Sequence, residues 1–145
     1  MSIIEMLFPQ LHGGNYHVTS PATETYNCIA WAAGVTNVWW WPHGDPQTTF
    51  WPSMAQRQET VAAFHDAFAS LGYIPCDSAE NEPGFERVAL YADVFQCPTH
   101  AARQLEDGSW TSKLGTMEDI VHALSDLEGA EYGTVVLVMK RARVP

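Results

Sequence analysis

The apolar positions in the first half of the chain follow helical periodicity, in segments separated by proline and glycine. Residues 1–22 hold several of these breakers and predict an irregular arm. A helix is predicted over residues 25–33, with Gly34 ending it as a C-terminal cap. A second helix is predicted over residues 54–71, where apolar residues again recur at helical spacing.

The second half has the alternating or continuous apolar runs that are typical of strands. Strands are predicted over residues 86–92, 99–105, 110–114 and 133–139. The second and third are joined by a hairpin turn at Asp107-Gly108. Before the last strand, Thr116 is predicted to cap a short helix over residues 117–127. Helices lead and antiparallel strands follow, which predicts one α+β domain spanning residues 1–145.

Composition and charge exclude several classes of partner. Of the 145 residues, 46% are hydrophobic and 17% are charged, which is typical of a globular domain. The formal net charge of −10 disfavours nucleic acids and anionic membranes, because both are negatively charged. No run of about 18 apolar residues predicts a membrane span. The first residues lack the basic region of a secretory signal, so we expect a cytoplasmic protein unless a non-classical route exports it.

The cysteines predict neither a disulfide framework nor a metal site. Cys28, Cys76 and Cys97 form an odd set without a CxxC pair. Cys97 and His100 have the spacing of two zinc ligands, but a structural zinc site needs a second such pair and the sequence offers none. We therefore expect no metal and no cofactor. Cys76 and Cys97 lie in loop-like sequence and are interpreted as non-catalytic.

Cys28 differs from the other two because it lies at the head of a predicted helix. With Thr25 as the cap, Cys28 falls in the first turn, where the helix dipole favours a thiolate. A competing start at Ser20-Pro21 would place it deeper in the helix. Free cysteine is also among the most buried residue types, so a packing role is the alternative interpretation.

The order of these features resembles a known superfamily. Tyr26-Asn27-Cys28 opening an apolar helix, followed by a strand and by a strand that carries His100, resembles the papain-like cysteine hydrolases, especially the small NlpC-type and CHAP-type amidases. The chain also resembles a bacterial family with the blocks YNCIAWA, PTHAARQ and WTSKLG, which implies no activity. The first resemblance implies a papain-like α+β fold, with N-terminal helices packed on a small antiparallel sheet.

The same resemblance implies roles for individual residues. Cys28 would be the nucleophile and His100 the base that takes its proton. The return strand lacks the usual third residue, so Asp119 and His122 are expected to reach in from the helix predicted after it. Gln104 lies on the strand of His100, but about 13 Å away at strand spacing, which is too far to orient the ring.

Two groups of residues are candidates for binding substrate. Tyr26 and Asn27 flank the nucleophile and are possible helpers of an oxyanion site formed with its backbone N–H. Trp39, Trp40 and Trp41 lie in a proline-rich loop and either grip a substrate or partner protein, or anchor the loop as a small core of their own. Three successive tryptophans cannot all point inward, so at least one is expected near the surface.

Together these features predict a thiol-dependent hydrolase that acts on an amide or related acyl bond through Cys28 and His100. The expected substrate is a protein or peptide, in an effector-like role. Deamidation and acyl transfer use the same pair of residues and stay open. The alternative is a non-enzymatic module on the same fold, which would bind a partner protein through its tryptophan-rich loop.

Overall fold

The structure is a computed structural model that describes residues 2–144. In this range the chain forms three short helices and two 3₁₀ turns: α1 (Ile3–Leu7), Pro9–Leu11, α2 (Cys28–Ala32), α3 (Val61–Ala69) and Leu124–Leu127. Its strands are β1 (His17–Ser20), β2 (Trp39–Trp40), β3 (Thr49–Phe50), β4 (Ile74–Pro75), β5 (Phe85–Ala92), β6 (Pro98–Gln104), β7 (Trp110–Lys113), β8 (Asp119–His122) and β9 (Thr134–Ala142).

Seven of the strands form one antiparallel sheet, in the order β1-β8-β7-β6-β5-β9-β4, and β2 and β3 form a separate parallel pair. The predicted papain-like α+β fold, with helices packed on a small sheet, is therefore wrong. The molecule is mostly β, and its helices have only five, five and nine residues. Helix α3 is half the predicted length because Thr60, whose side chain accepts from the backbone N–H of Ala63, caps it late.

The helix predicted over residues 117–127 is also wrong. Asp119–His122 is β8, which pairs with β7 on one side and β1 on the other. Its central residues, Ile120 and Val121, are β-branched and favour a strand once neighbours are available. Only the following segment, Leu124–Leu127, turns as a short 3₁₀ helix.

The irregular arm predicted over residues 1–22 is a third error. Ser2 caps α1, and the arm then contributes β1 to an edge of the sheet. Ile4, Phe8 and Leu11 are buried in the hydrophobic core, and burial of such side chains stabilises the arm on the sheet.

A hydrophobic core lies on each face of the sheet, because successive strand residues point to opposite sides. On one face, called here the helix face, α2 and α3 pack against residues that include Leu90, Ala101 and Met139. On the other, called here the arm face, α1 and the 3₁₀ turns cover residues that include Tyr91 and Ala102. None of the helices in residues 2–144 has the length and apolar character that a membrane crossing requires.

Candidate active site around Cys28 and His100

Asn27 sets the position of Cys28 as the first residue of α2. Its Oδ1 accepts from the backbone N–H of Ala30 at 3.2 Å and of Trp40 at 3.0 Å, and its Nδ2 donates to the carbonyl of Trp40 at 2.9 Å. Asn27 is thus the N-cap, in place of Thr25, and it also ties α2 to β2. The start at Ser20-Pro21 is excluded, and the Asn27 amide is engaged in the fold.

Cys28 lies where β6 and β7 separate. The backbone pairing between these strands is limited to Arg103–Thr111 and Gln104–Trp110, and α2 packs over both strands. The sulfur of Cys28 interacts with the backbone N–H of Ala101, the residue after His100. The thiol therefore lies against the backbone of β6, whereas the side chain of His100 points to the opposite face of the sheet from that of Ala101, and no hydrogen bond joins the thiol and the imidazole.

The Cys28 thiol is 7% exposed and protonated at neutral pH. Burial raises the pKa of Cys28 to about 11, and this outweighs the lowering by the backbone N–H groups of Ala101, Ile29 and Cys28 and by the charge of Lys113. A sulfur that faces several N–H groups and a cation is suited to carry negative charge after a base has accepted the thiol proton.

A cavity of about 270 Å³ opens beside the thiol. Its lining consists of Asn27, Cys28, Trp39, Trp41, Thr99, Gly115 and Tyr132. Trp39 and Trp41 are half-buried, whereas Trp40 is buried and packs on Phe50. Trp40 therefore anchors the loop, whereas its two neighbours form an aromatic wall of the cavity at Cys28.

On the arm face, His100, Ser112 and His122 form a buried chain of hydrogen bonds across three strands. His100 Nε2 lies 2.9 Å from Ser112 Oγ, which lies 2.7 Å from His122 Nε2. His122 Nδ1 lies 2.7 Å from the carbonyl oxygen of Ala123. The ring of Tyr132 stacks on His100 with centroids 4.1 Å apart, and Tyr132 also lines the Cys28 cavity.

This chain determines which nitrogen of each ring carries hydrogen. A carbonyl only accepts, so His122 Nδ1 is protonated, and since burial lowers the pKa of His122 to about 4, its Nε2 is bare at neutral pH. Ser112 must then donate its single hydrogen to His122 and accept from His100 Nε2. Burial, with the nearby His122, holds the pKa of His100 well below its usual value, so His100 is neutral and its Nδ1 is bare.

The bare Nδ1 of His100 is buried and has no hydrogen-bond partner within residues 2–144. Buried polar atoms are nearly always paired, so such an atom marks a strained or functional position. An unprotonated imidazole nitrogen is a proton acceptor, and Tyr132, which stacks on this ring, also lines the cavity at Cys28.

Asp119 and His122 are three residues apart on β8, so they point to opposite faces of the sheet. His122 joins the hydrogen-bonded chain of His100 through Ser112, and it does so from a strand rather than from the predicted helix. Asp119 lies on the helix face, where its Oδ2 accepts from the hydroxyl of Tyr26 at 2.6 Å. Burial and Asp119 raise the pKa of Tyr26 to about 12, and its hydroxyl is engaged away from the reacting atoms.

Three further residues belong to the site and were not predicted from the sequence: Ser112, Tyr132 and Lys113. Ser112 could have been found from the strand pattern, because successive residues of a strand point to opposite faces. On β7 its side chain points away from those of Thr111 and Lys113, to the face that also carries His122. Tyr132 lies in a loop before β9, and no spacing in the sequence links it to His100. Cys76 donates its thiol to backbone carbonyls and Cys97 is exposed. No three metal-ligating side chains come together in residues 2–144.

A sequence profile described as "Domain of unknown function (DUF7689)" matches residues 17–140. The match spans most of the chain, from β1 to β9, and includes Cys28, His100, Ser112 and His122. No curated protein and no solved structure matches the chain.

Proposed function

Because the chain belongs to the DUF7689 family, whose description names no activity, its function must be argued from the site, and we propose that it is a thiol-dependent hydrolase of an amide or related acyl bond. Cys28 is the nucleophile, His100 is the base, and the substrate is a protein or peptide. The observation that carries the proposal is the bare, buried and unpartnered Nδ1 of His100 at the split that holds the Cys28 thiol.

In the proposed reaction the thiol turns about χ1 to meet His100 when a substrate enters the cavity. The S–H proton passes to Nδ1, and the sulfur forms a bond with the carbonyl carbon. Collapse of the tetrahedral intermediate breaks the bond to the leaving group, which takes the proton from Nδ1. Water then attacks the thioester with His100 again accepting a proton, and this releases the acid and restores the thiol.

The resting pair is neutral in this mechanism. Burial raises the pKa of Cys28 to about 11 and lowers the pKa of His100, so both shifts disfavour a preformed thiolate–imidazolium pair. Proton transfer is then coupled to attack on the substrate. The hydrogen bond from His100 Nε2 to Ser112 holds the ring and stabilises its charged form.

The first turn of α2 supplies the oxyanion site. The backbone N–H groups of Cys28 and Ile29 have no partner inside the helix, because they lie in its first turn. The side chains of Tyr26 and Asn27 are engaged elsewhere and position this turn rather than the substrate. Deamidation and acyl transfer proceed through the same thioester and differ in the leaving group or in the acceptor.

The test is acyl transfer from p-nitrophenyl acetate, followed by mass spectrometry. The intact protein is expected to release about one p-nitrophenolate per chain in a burst and to carry the acetyl group on Cys28. His100→Gln is expected to slow the burst by about 100-fold, the lower end of what general-base catalysis contributes. Cys97→Ser is the matched control and should react like the unaltered chain. A burst that persists in Cys28→Ser, or no burst in the intact protein, would contradict the proposal.

A second candidate function is binding of a partner peptide without catalysis. It is favoured by Trp39 and Trp41, which are half-buried and form the aromatic wall of the cavity. Under this alternative, Cys28→Ser leaves binding of an apolar peptide intact, as measured by quenching of tryptophan fluorescence, while Trp41→Ala abolishes it. Under the hydrolase proposal, Cys28→Ser abolishes acyl transfer.

A further inference from the structure

We infer that Lys113 is a positioning residue for Cys28. The buried ammonium of Lys113 joins the two sides of the Cys28 cavity and supplies the positive charge that a thiolate at Cys28 faces. The inference rests on the proposed function, because it concerns the charged form of the proposed nucleophile.

The side chain of Lys113 has no exposed surface. Its Nζ donates to three backbone carbonyls: Thr23 at 2.8 Å, Gly115 at 2.6 Å and Met117 at 2.6 Å. An ammonium has three hydrogens and no acceptor, so this set of partners matches the charged form completely. Isolated charges are costly to bury, and these three hydrogen bonds offset that cost and hold the ammonium in one position.

The three carbonyls belong to segments that border the nucleophile. Thr23 precedes the turn into α2, and Gly115 lines the Cys28 cavity. Nζ also lies 5.3 Å from the ring centroid of Tyr26, two residues before Cys28. Lys113 therefore ties the segment before α2 to the loop after β7, which are the two sides between which the thiol lies.

Four titratable groups from different elements surround this site, and two of them are charged. Lys113 on β7 is cationic, and Asp119, its register partner on β8, is anionic and has one buried oxygen without a partner. His100 on β6 is neutral, and burial raises the pKa of Tyr132, which is neutral as well. Burial lowers the pKa of Lys113, and the charges of Asp119 and Cys28 raise it, as expected for an ammonium close to both groups.

These charges predict opposite effects for two substitutions. Lys113→Met removes the cation and should raise the pH at which the Cys28 thiol ionises. Asp119→Asn keeps an acceptor for Tyr26 but removes the anion, and it should lower that pH. If Lys113 and Asp119 had merely structural roles, the two substitutions would not shift the pH of thiol ionisation in opposite directions.

The experiment measures the rate of iodoacetamide labelling of Cys28 from about pH 8 to 12.5, a range that extends beyond the raised pKa of Cys28, in the chain with Cys76→Ser and Cys97→Ser. Lys113→Met is expected to raise the midpoint by at least about 0.5 pH unit, which is a roughly threefold slower reaction at a fixed pH below it. Asp119→Asn is expected to lower the midpoint by a similar amount. Lys140→Met, which removes a half-buried lysine from the far side of the sheet, is the matched control and should leave it unchanged.

Midpoints that stay within about 0.2 pH unit of the parent, or that move in the same direction in both variants, would overturn the inference. If Lys113→Met does not fold, Lys113→Gln, which keeps hydrogen-bond donors for the carbonyls but removes the charge, decides by the same criterion. The labelling needs no substrate. If the p-nitrophenolate burst is missing but the labelling midpoints shift, the hydrolase proposal is refuted and Lys113 remains the group that favours the thiolate of Cys28. If the burst occurs but the labelling midpoints do not shift, the role of Lys113 is refuted.

Discussion

Replacing Ser112 with alanine tests the hydrogen-bonded chain on which the proposed base depends. The side chain has no exposed surface, and its hydroxyl bridges the two imidazoles by hydrogen bonds to both. Ser112→Ala removes that link with little change in volume. His100 Nε2–H then loses its acceptor, and His122 Nε2 loses its donor, both in a buried position.

The expected cost follows from those two atoms. A buried polar group left without a partner costs about 1–3 kcal/mol, so two of them lower the free energy of unfolding by about 2–6 kcal/mol. Thr111→Val on the same strand is the matched control, because it removes one acceptor, that of the partly exposed Trp31 Nε1–H at 3.0 Å. Its expected cost is about 1 kcal/mol, the contribution of a typical hydrogen bond.

Both values can be measured by urea unfolding at pH 7.5, followed by the fluorescence of the six tryptophans. Ser112→Ala should also slow the p-nitrophenyl acetate burst, because His100 is then free to carry its hydrogen on Nδ1. If Ser112→Ala destabilises the protein no more than Thr111→Val does, with an unchanged dependence on urea, the buried chain and the tautomer derived from it are refuted.

Two further predictions concern stability. Burial lowers the pKa of His122 to about 4, so between about pH 6.5 and 4 the unfolded chain binds a proton at this residue and the folded chain does not. The free energy of unfolding therefore falls as the pH is lowered through this window, by up to about 1.4 kcal/mol per pH unit. Urea midpoints at pH 7, 6 and 5 measure the effect, and an unchanged midpoint from pH 7 to 5 would exclude a buried neutral His122. In addition, Gly133→Ala should cost at least ~3 kcal/mol, because φ is +77° and a Cβ would overlap the carbonyl oxygen of Ala92, whereas Gly115→Ala, with φ +62° and open space, should cost about 1–2 kcal/mol; equal shifts in melting temperature would contradict this.

The strands of the second half were predictable because their signals are local. The predictions over residues 86–92, 99–105 and 110–114 agree with β5, β6 and β7 to within one residue at each end. Alternating or continuous apolar residues and the Asp107-Gly108 turn lie within the hairpin that they specify.

The errors arose where distant pairing decides the structure. Thr116 precedes residues 117–127, and Glu118 and Asp119 follow near their start, which is the local chemistry of a helix N-terminus. The strand β8 forms instead because β1 and β7 pair with it on either side. The arm was similar, since its breakers predict irregular structure locally. Ile4, Phe8 and Leu11 nevertheless recur at four- and three-residue spacing, which was an available signal for a buried helical segment.

The candidate site shows the same division. Cys28 at a helix head could be inferred from Asn27 and the apolar run after it, because capping is a local interaction. The hydrogen bond between His100 and Ser112 could not be inferred from the sequence, because it depends on the separation of β6 from β7 after two residue pairs. That separation admits the thiol of α2 and leaves side chains to bridge the gap.

The change from helix to strand over residues 119–122 alters which residue can act on which. On a helix, Asp119 and His122 would share a face and either carboxylate or imidazole would be available to orient His100. On β8 they lie on opposite faces, so the imidazole serves the chain of His100 while the carboxylate serves Tyr26 and faces Lys113. The proposed base is therefore oriented by a neutral Ser–His pair, and the charges of Lys113 and Asp119 lie on the helix face with Cys28. Such an arrangement keeps His100 uncharged at neutral pH, which is the state that the proposed general base needs.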